Sequence, residues 1–280
     1  MSGERALVVG GGGVAGIAWA TGVLAGLADS GVDVGDADLL LGTSAGSVVA
    51  AQLAGATPLP ELLRSQVDPA FQREELLPRE GALAAVFEFA AKLDAEVGDP
   101  VERLRRTGEM ALAADTVTEA ERRSVIEGRL PSHDWPGRPL SVIAVNARTG
   151  ETRVLDRASG IGLVDAVAAS CAVPGVWPAA TIDGVPHIDG GARSFTNLDL
   201  AAGHARTLVV APMPDPVLEA DAAAIVERGG LVEVITPDEA ALTAFGDDPL
   251  SPASRTPAGH AGFAQGTEAA PAVAALWSSS

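Results

Sequence analysis

The sequence predicts an α/β protein with a mainly parallel central sheet between layers of helices. Twice near the N-terminus, a short apolar run enters a glycine-rich turn that opens a helical pattern. The first unit is Leu7–Val9 with Gly10–Gly13, and the second is Asp38–Leu41 with Gly42–Gly46. Repeated strand–turn–helix units are typical of a parallel α/β layer. With 280 residues and no recognisable linker, a single domain over residues 1–280 is the simplest organisation.

The remaining elements follow from the spacing of apolar residues. Short apolar runs predict strands at 140–145, 152–155, 181–182, 185–188, 207–210 and 231–235. Helical spacing predicts helices at 16–30, 47–53, 163–169 and 217–228, followed by C-terminal helical segments with Pro and Gly breaks. Asp183-Gly184 between two of the strands predicts a hairpin turn.

A helical insertion is expected at about residues 68–138. Apolar residues recur there at helical spacing and predict one apolar face, formed by Leu83, Val86, Phe87, Ala90 and Leu93. Two further helical segments follow near 101–112 and 117–130. Additional outer-layer helices would explain the same pattern equally well. The arginines of this region, including Arg122 and Arg123, are interleaved with glutamates, which predicts a solvated surface with charge pairs along the helices.

The charge balance excludes some partners. The formal net charge is −18 and the pI is about 4.5, which argues against binding to nucleic acid and against docking on anionic membranes through a basic patch. Cys171 is the single cysteine, so no internal disulfide forms, and its small apolar neighbours predict a buried thiol. We therefore expect a cytoplasmic protein with at most peripheral membrane contact.

The uncharged segment from Ala6 to Ala28 is long enough to span a bilayer. Its seven glycines, four of them consecutive, break helical continuity and favour a strand, a turn and a buried helix instead. A signal peptide is the other alternative, but Glu4 in its charged region and the missing cleavage site disfavour it.

Gly42-Thr43-Ser44-Ala45-Gly46 is a G-x-S-x-G sequence between a predicted strand and a predicted helix. In that context the serine is held in a strained conformation with its hydroxyl exposed, as a nucleophile requires. The small flanking residues Gly42 and Gly46 let strand and helix pass closely. The alternative is a glycine-rich turn in which Ser44 caps the helix.

Gly10–Gly13 and Gly16 can direct backbone N–H groups at an anion. One use is an oxyanion hole, and another is a dinucleotide site, since the spacing also fits G-x-G-x-x-G. A dinucleotide site needs an acidic residue at the end of the second strand, where the sequence has Leu41-Gly42. Asp33 and Asp36 precede that strand, so the nucleotide alternative is disfavoured.

A serine nucleophile needs a base. The four histidines, His133, His187, His204 and His260, lie in no recognisable triad signature. Asp189, in Ile188-Asp189-Gly190-Gly191, is the stronger candidate because the glycines let a loop present its carboxylate closely to another backbone. An ordinary turn aspartate is the alternative.

These motifs together resemble those of patatin-like phospholipases. The family pattern is a glycine run near the N-terminus, G-x-S-x-G in the next strand–turn–helix unit, and Asp-Gly-Gly well downstream. The segments 169–178, 194–197 and 199–201 also resemble family sequences, and the resemblance covers about residues 5–212.

The resemblance implies a three-layer α/β/α fold and a Ser–Asp dyad without histidine. It assigns Ser44 as nucleophile and Asp189 as base, and it implies hydrolysis of acyl esters of lipids with no metal or cofactor. It also implies that the oxyanion hole is formed by the N–H groups of Gly11, Gly12 and Gly13. The supporting motif glycines are Gly16, Gly42, Gly46, Gly190 and Gly191.

We therefore expect a serine acyl hydrolase of the phospholipase A type. One departure is Ala15, where family members usually carry Arg or Lys, and with the net charge it predicts neutral or zwitterionic substrates rather than anionic lipids. The alternatives are a catalytically weak lipid-binding or regulatory protein on the same fold and, less favoured, a nucleotide-binding oxidoreductase.

Overall fold

The computed structural model describes residues 4–278, which form eight β-strands and ten α-helices. The strands are β1 (Arg5–Val9), β2 (Leu39–Thr43), β3 (Leu140–Asn146), β4 (Thr152–Leu155), β5 (Ala180–Ile182), β6 (Val185–Asp189), β7 (Arg206–Val210) and β8 (Leu231–Ile235). The helices are α1 (Gly13–Asp29), α2 (Ala45–Ala54), α3 (Leu59–Val67), α4 (Ala82–Glu96), α5 (Pro100–Ala113), α6 (Glu119–Arg129), α7 (Leu163–Ser170), α8 (Leu218–Glu227), α9 (Glu239–Phe245) and α10 (Arg255–Ser278). The predicted strands agree with these bounds to within two residues, whereas α3 was not predicted.

The strands form one mainly parallel sheet in the order β5-β6-β3-β2-β1-β7-β8, with β4 also paired to β3. Strands β3, β2, β1, β7 and β8 are parallel neighbours. Strands β4 and β6 run antiparallel to β3, and β5 runs antiparallel to β6 as the predicted hairpin. The carboxyl ends of β1 and β2 therefore lie side by side, and the two glycine-rich turns meet there.

Helices cover both faces of the sheet, as expected for a three-layer α/β/α fold. Alternate strand residues such as Leu7 and Val9 face a core shared with α1, α2, α7 and α10. Their neighbours Ala6 and Val8 face a second core with Leu218 and Ile225 of α8. Sheets that are buried on both faces have strands of nearly continuous apolar sequence, as these have.

Helix α10 is continuous, whereas the sequence predicted separate segments broken by Pro and Gly. It runs through Pro271, and its glycines form the contact with α1. A Cβ atom on Gly262 would lie 2.2 Å from the carbonyl oxygen of Trp19, and one on Gly266 would lie 2.2 Å from that of Val23. The glycines thus allow the two backbones to touch, and this packing outweighs their low helix propensity.

The uncharged segment from Ala6 to Ala28 is divided between β1, a glycine turn and α1 rather than forming one helix. Among residues 4–278, no helix combines the length and the apolar character needed to cross a membrane.

The segment 68–138 is helical and contains α4, α5 and α6. The charge pairs predicted along its surface occur on α5, where Glu102 binds both Arg105 and Arg106. The prediction is wrong for Arg122 of α6, which is 5 % exposed. The Arg129 side chain on the same helix is also buried, and it pairs with Glu75.

Candidate active site

Ser44 occupies a strained turn between β2 and α2. Its φ of 52° and ψ of −119° place a non-glycine residue at positive φ, a conformation that persists only when its surroundings enforce it. The Ser44 N–H donates to Ser170 Oγ at 2.9 Å, and Ser47 Oγ donates to the Ser44 carbonyl at 2.6 Å. The Cys171 thiol donates to the same carbonyl at 3.3 Å. These contacts hold the turn in place and leave the Ser44 hydroxyl uninvolved.

The glycines flanking Ser44 are required by close approach of the backbones. A Cβ atom on Gly46 would lie 1.8 Å from the Val9 carbonyl oxygen, and one on Gly42 would lie 2.5 Å from the Gly46 carbonyl oxygen. Real Cβ atoms essentially never come within 3.0 Å of another heavy atom. Glycine at position 46 lets α2 start directly beside β1, and glycine at position 42 lets β2 pass directly against the start of α2.

Asp189 ends β6 next to Ser44. It pairs with Ala144 of β3, and Thr43, the last residue of β2, pairs with Ile143. Its N–H donates to the Ala172 carbonyl at 3.0 Å, and its Oδ1 accepts the Gly191 N–H at 2.7 Å. The sheet and the following turn therefore fix the carboxyl from both sides.

Burial raises the pKa of Asp189 to about 7, although the Ser44 hydroxyl, the Gly191 N–H and the charge of Arg122 oppose the shift. Its Oδ2 is buried and lacks a hydrogen bond of normal geometry among the described residues. The Ser44 hydroxyl lies close enough to the carboxyl to lower its pKa, although no hydrogen bond of normal geometry joins the two side chains among the described residues. Catalytic hydrogen bonds are often long until substrate is bound.

The glycine turn after β1 lies against Ser44, since a Cβ atom on Gly11 would be 3.4 Å from Ser44 Cβ. The Gly11 N–H, however, donates to the Phe195 carbonyl at 2.8 Å. In the described part of the chain, the N–H groups of Gly12 and Gly13 donate to no protein acceptor. Of the three N–H groups expected to form an oxyanion hole, those of Gly12 and Gly13 are therefore available; they lie at the start of α1, where the helix dipole also favours negative charge.

The Ala45 N–H is a further donor that the sequence reasoning missed. Ala45 is the first residue of α2 and follows Ser44 directly. Its N–H has no hydrogen-bond partner within residues 4–278. Where G-x-S-x-G forms a nucleophile elbow, the N–H of the residue after the nucleophile is part of the oxyanion hole. That general rule could have identified Ala45 from the sequence.

Ser44, Asp189 and the glycine turn line a cavity of ≈ 620 Å³, a volume typical of small-molecule sites. The helical segment 68–138 contributes one side of its wall. The apolar residues that line it include Leu83, Val86, Phe87 and Leu93 of α4 and Leu104 and Met110 of α5. The apolar face predicted for α4 is therefore present, but it lines the cavity, and Phe87 is exposed. Such walls suit an apolar chain as the ligand.

None of the four histidines lines this cavity. His187 lies in β6, two residues before Asp189, and its Nδ1 is 2.9 Å from the Val185 carbonyl oxygen. Burial lowers the pKa of its imidazole, which favours the neutral form. The structure thus brings Asp189, and not a histidine, to the serine.

The family model described as patatin-like phospholipase matches residues 7–202. The chain belongs to the patatin-like phospholipase family. The matched range contains Ser44, Asp189 and the glycine turn, and membership in the family supports a lipid acyl hydrolase activity.

Two solved structures are similar to this patatin-like chain at 14 % sequence identity. The first is VipD from Legionella pneumophila, with a TM-score of 0.47, 96 % of this chain covered and 67 % of VipD. The second is the type III effector protein ExoU, with a TM-score of 0.42, 97 % of this chain covered and 53 % of ExoU. The chain thus spans about two thirds of one relative and about half of the other. No curated protein matched.

Proposed function

We propose that the protein is a carboxylic ester hydrolase of the phospholipase A type, with Ser44 as nucleophile and Asp189 as base. The observation that carries the proposal is the shared position of these residues on one apolar cavity. A hydroxyl on a strained turn there meets a buried carboxyl whose pKa is raised to about 7. A base with a pKa near the working pH is the most effective one.

In the acylation step, Ser44 Oγ attacks the ester carbonyl while Asp189 accepts the hydroxyl proton. The negative charge moves to the carbonyl oxygen, where the unpaired N–H groups of Gly12, Gly13 and Ala45 can donate to it. The tetrahedral intermediate then collapses to an acyl-serine. The protonated Asp189 returns its proton to the departing alkoxide, which leaves as an alcohol.

In the deacylation step, water takes the place of the alcohol. Asp189 accepts one of its protons while the water oxygen attacks the acyl carbonyl, and collapse of the second intermediate breaks the bond to Ser44 Oγ. The proton from Asp189 restores the serine hydroxyl, and the free fatty acid is released. The α4 and α5 walls of the cavity suit the acyl chain because they are apolar.

A lipid-binding protein without catalysis is the alternative, since the same cavity would hold a lipid. Binding alone needs neither the positive φ of Ser44 nor unpaired N–H groups beside it, and backbone strain of this kind is concentrated at reactive sites. A dinucleotide is disfavoured because the Gly11 N–H is already bonded to Phe195.

Labelling with a fluorophosphonate probe, followed by mapping of the modified peptide, tests the proposal. We expect modification at Ser44 and none in Ser44→Ala. Ser65→Ala is the matched control, because the Ser65 hydroxyl bonds only within its own helix, donating to the Leu62 carbonyl and accepting from the Gln66 side chain, and this variant should label normally. Modification of another residue, or ester hydrolysis that persists in Ser44→Ala, would contradict the proposal.

A further inference from the structure

Asn197 places a buried amide in the loop that follows Asp189. It is 0 % exposed, and its φ of 51° is in the left-handed region, which asparagine adopts more readily than most residues. The Arg193 guanidinium, which also pairs with Asp199, donates to Asn197 Oδ1 at 2.7 Å. Because a guanidinium can only donate, this bond identifies the oxygen of the amide. The other end of the amide, Nδ2, is therefore the donor.

The Nδ2 atom of this amide contacts both chains that carry the proposed catalytic residues. It donates to Thr43 Oγ1 at 3.0 Å and to the Gly190 carbonyl at 3.3 Å. Thr43 directly precedes Ser44, and Gly190 directly follows Asp189. A single nitrogen atom therefore joins the end of β2 to the end of β6, next to the nucleophile on one side and next to the base on the other.

The loop that carries Asn197 is itself held in place. Asn197 Nδ2 also donates to the Ser194 carbonyl at 2.7 Å, and its N–H donates to Ser194 Oγ at 2.8 Å. Asp215 Oδ2 accepts three hydrogen bonds, from the Ser194 hydroxyl at 2.7 Å and from the N–H and hydroxyl of Thr196, both at 2.8 Å. Between these two residues, the Phe195 carbonyl accepts an N–H of the glycine turn at 2.8 Å. The loop thus contacts the nucleophile strand, the base turn and the glycine turn together.

We propose that Asn197 is a positioning residue, which sets the distance between nucleophile and base through its bonds to Thr43 and Gly190. The inference rests on the proposed function, because it concerns the spacing of the two residues assigned there. Asn197 does not line the cavity of ≈ 620 Å³, so its effect should be on the rate of reaction rather than on substrate binding. A displacement of about 1 Å between reacting groups can reduce a rate by about 100-fold.

The Thr43 hydroxyl separates this role from a purely structural one. Thr43 is fully buried in β2, and among residues 4–278 its hydroxyl is bonded to Asn197 Nδ2 alone. Thr43→Val has a similar shape and removes the acceptor, whereas Thr43→Ser keeps it. A side chain that only supports the fold would change stability, and not the rate of each folded molecule.

Steady-state hydrolysis of p-nitrophenyl butyrate tests the proposal, with the active sites counted by fluorophosphonate labelling. In Thr43→Val we expect kcat per labelled site to fall about tenfold while KM stays within about threefold of wild type. This loss is smaller than the about 100-fold of a full displacement, because the bond from Asn197 to Gly190 remains. Thr43→Ser should keep kcat within about threefold. Partial unfolding would instead reduce the number of labelled sites and leave the rate per site unchanged.

Thr207→Val is the matched control. Thr207 is fully buried in β7 of the same sheet, and its hydroxyl has no hydrogen-bond partner in the described part of the chain. The same substitution there should leave both kcat and KM unchanged.

Asn197→Gly tests the amide directly, because glycine adopts the positive φ of this position without strain. Without either bond, kcat per labelled site should fall by about 100-fold. Adding Thr43→Val to Asn197→Gly should change kcat little, because the Thr43 hydroxyl acts only through the amide. Non-additivity of this kind identifies two residues that act through one interaction.

Wild-type kcat per labelled site in a folded Thr43→Val or Asn197→Gly variant would overturn the proposal, so either variant decides the matter if the other fails to fold. Fully additive losses in the double variant, or a change in KM alone, would also overturn it. Failure of the proposed function is recognised separately, because the wild-type protein would then not be labelled at Ser44, and the positioning role would fall with it.

Discussion

Ser44 directly follows β2 and Asp189 is the last residue of β6, and these two strands end side by side on the same edge of β3. Thr43 pairs with Ile143 and Asp189 pairs with Ala144, the next residue along β3. Strand β4 pairs with both Ile143 and Ala144, so it occupies the opposite edge and leaves β2 and β6 in line. The register of the sheet, rather than a mobile loop, therefore places the carboxyl beside the serine. A site built on strands is held more precisely than one built on loops.

Ser44→Ala and Asp189→Asn should each reduce kcat/KM for p-nitrophenyl butyrate by about 10³-fold or more. The double variant should lose little more than either single one, because the two groups act as a unit. Steady-state kinetics on variants with unchanged far-UV circular dichroism spectra check this expectation.

His187→Asn is the control for the base. It removes the imidazole nearest to Asp189 along β6, while an amide can still reach the Val185 carbonyl that the ring contacts. Activity within about threefold of wild type is expected, as for a residue outside a catalytic unit. A folded, inactive His187→Asn together with an active Asp189→Asn would assign the base to the histidine.

The activity should depend on pH through Asp189. Its pKa is raised to about 7 by burial, and the base is the ionised form. Hence kcat/KM should rise about tenfold per pH unit below 7 and level off above, leaving about one hundredth of the plateau at pH 5. A rate that is flat from pH 5 to 7.5 would contradict this assignment of the base.

The free energy of unfolding should also depend on the ionisation of Asp189. This contribution should fall as the pH rises, whereas the activity should increase. A raised pKa means that folding favours the protonated carboxyl, so this contribution to stability is complete below the unfolded-state pKa of about 4. It is lost as the pH rises through about 7. Asp189→Asn, which cannot ionise, should therefore gain free energy of unfolding over wild type at pH 8 relative to pH 4. Urea denaturation at both pH values measures the difference, and a gain that does not grow with pH would disprove it.

Gly46→Ala should destabilise the fold by more than about 3 kcal/mol, because its Cβ atom would overlap the Val9 carbonyl oxygen and overpacking against backbone is costly. Gly128→Ala is the control. No atom lies within 4 Å of a Cβ placed there on α6, so alanine should be neutral or stabilising by up to about 1 kcal/mol. Thermal unfolding of the two variants provides the comparison, and equal effects would refute the close approach of α2 to β1.

The strands and the serine turn could be predicted from the sequence because each is encoded locally. An apolar run ending in glycine identifies both β1 and β2, and G-x-S-x-G identifies the turn at Ser44. The proximity of Ser44 to Asp189 is not encoded locally in the sequence. It depends on β6 running antiparallel to β3 in one register, and no short pattern encodes that pairing. The resemblance to a family supplied the pairing instead.

Arg122 shows why charge patterns mislead. Arginines and glutamates are interleaved on α6 as they are on α5, where Glu102 and Arg105 do form a surface pair. Helix α6 turns Arg122 inward onto Trp177, an aromatic residue 55 positions away in the chain. Similarly, the Gly11 N–H is not available to an anion because it donates to the carbonyl of Phe195, which is distant in the sequence. Both outcomes are set by tertiary contacts that spacing within one helix or one turn does not contain.

The last prediction concerns the charge of the lipid surface. With a net charge of −18, the protein should be repelled by an anionic bilayer, and salt screens this only beyond a Debye length of about 10 Å at 0.1 M. We therefore expect phosphatidylcholine in mixed micelles to be hydrolysed faster than phosphatidylglycerol at matched surface concentration. The difference should shrink at 0.5 M salt, because only the long-range repulsion is screened. A preference for phosphatidylglycerol that weakens with salt would instead require a basic surface that outweighs the net charge.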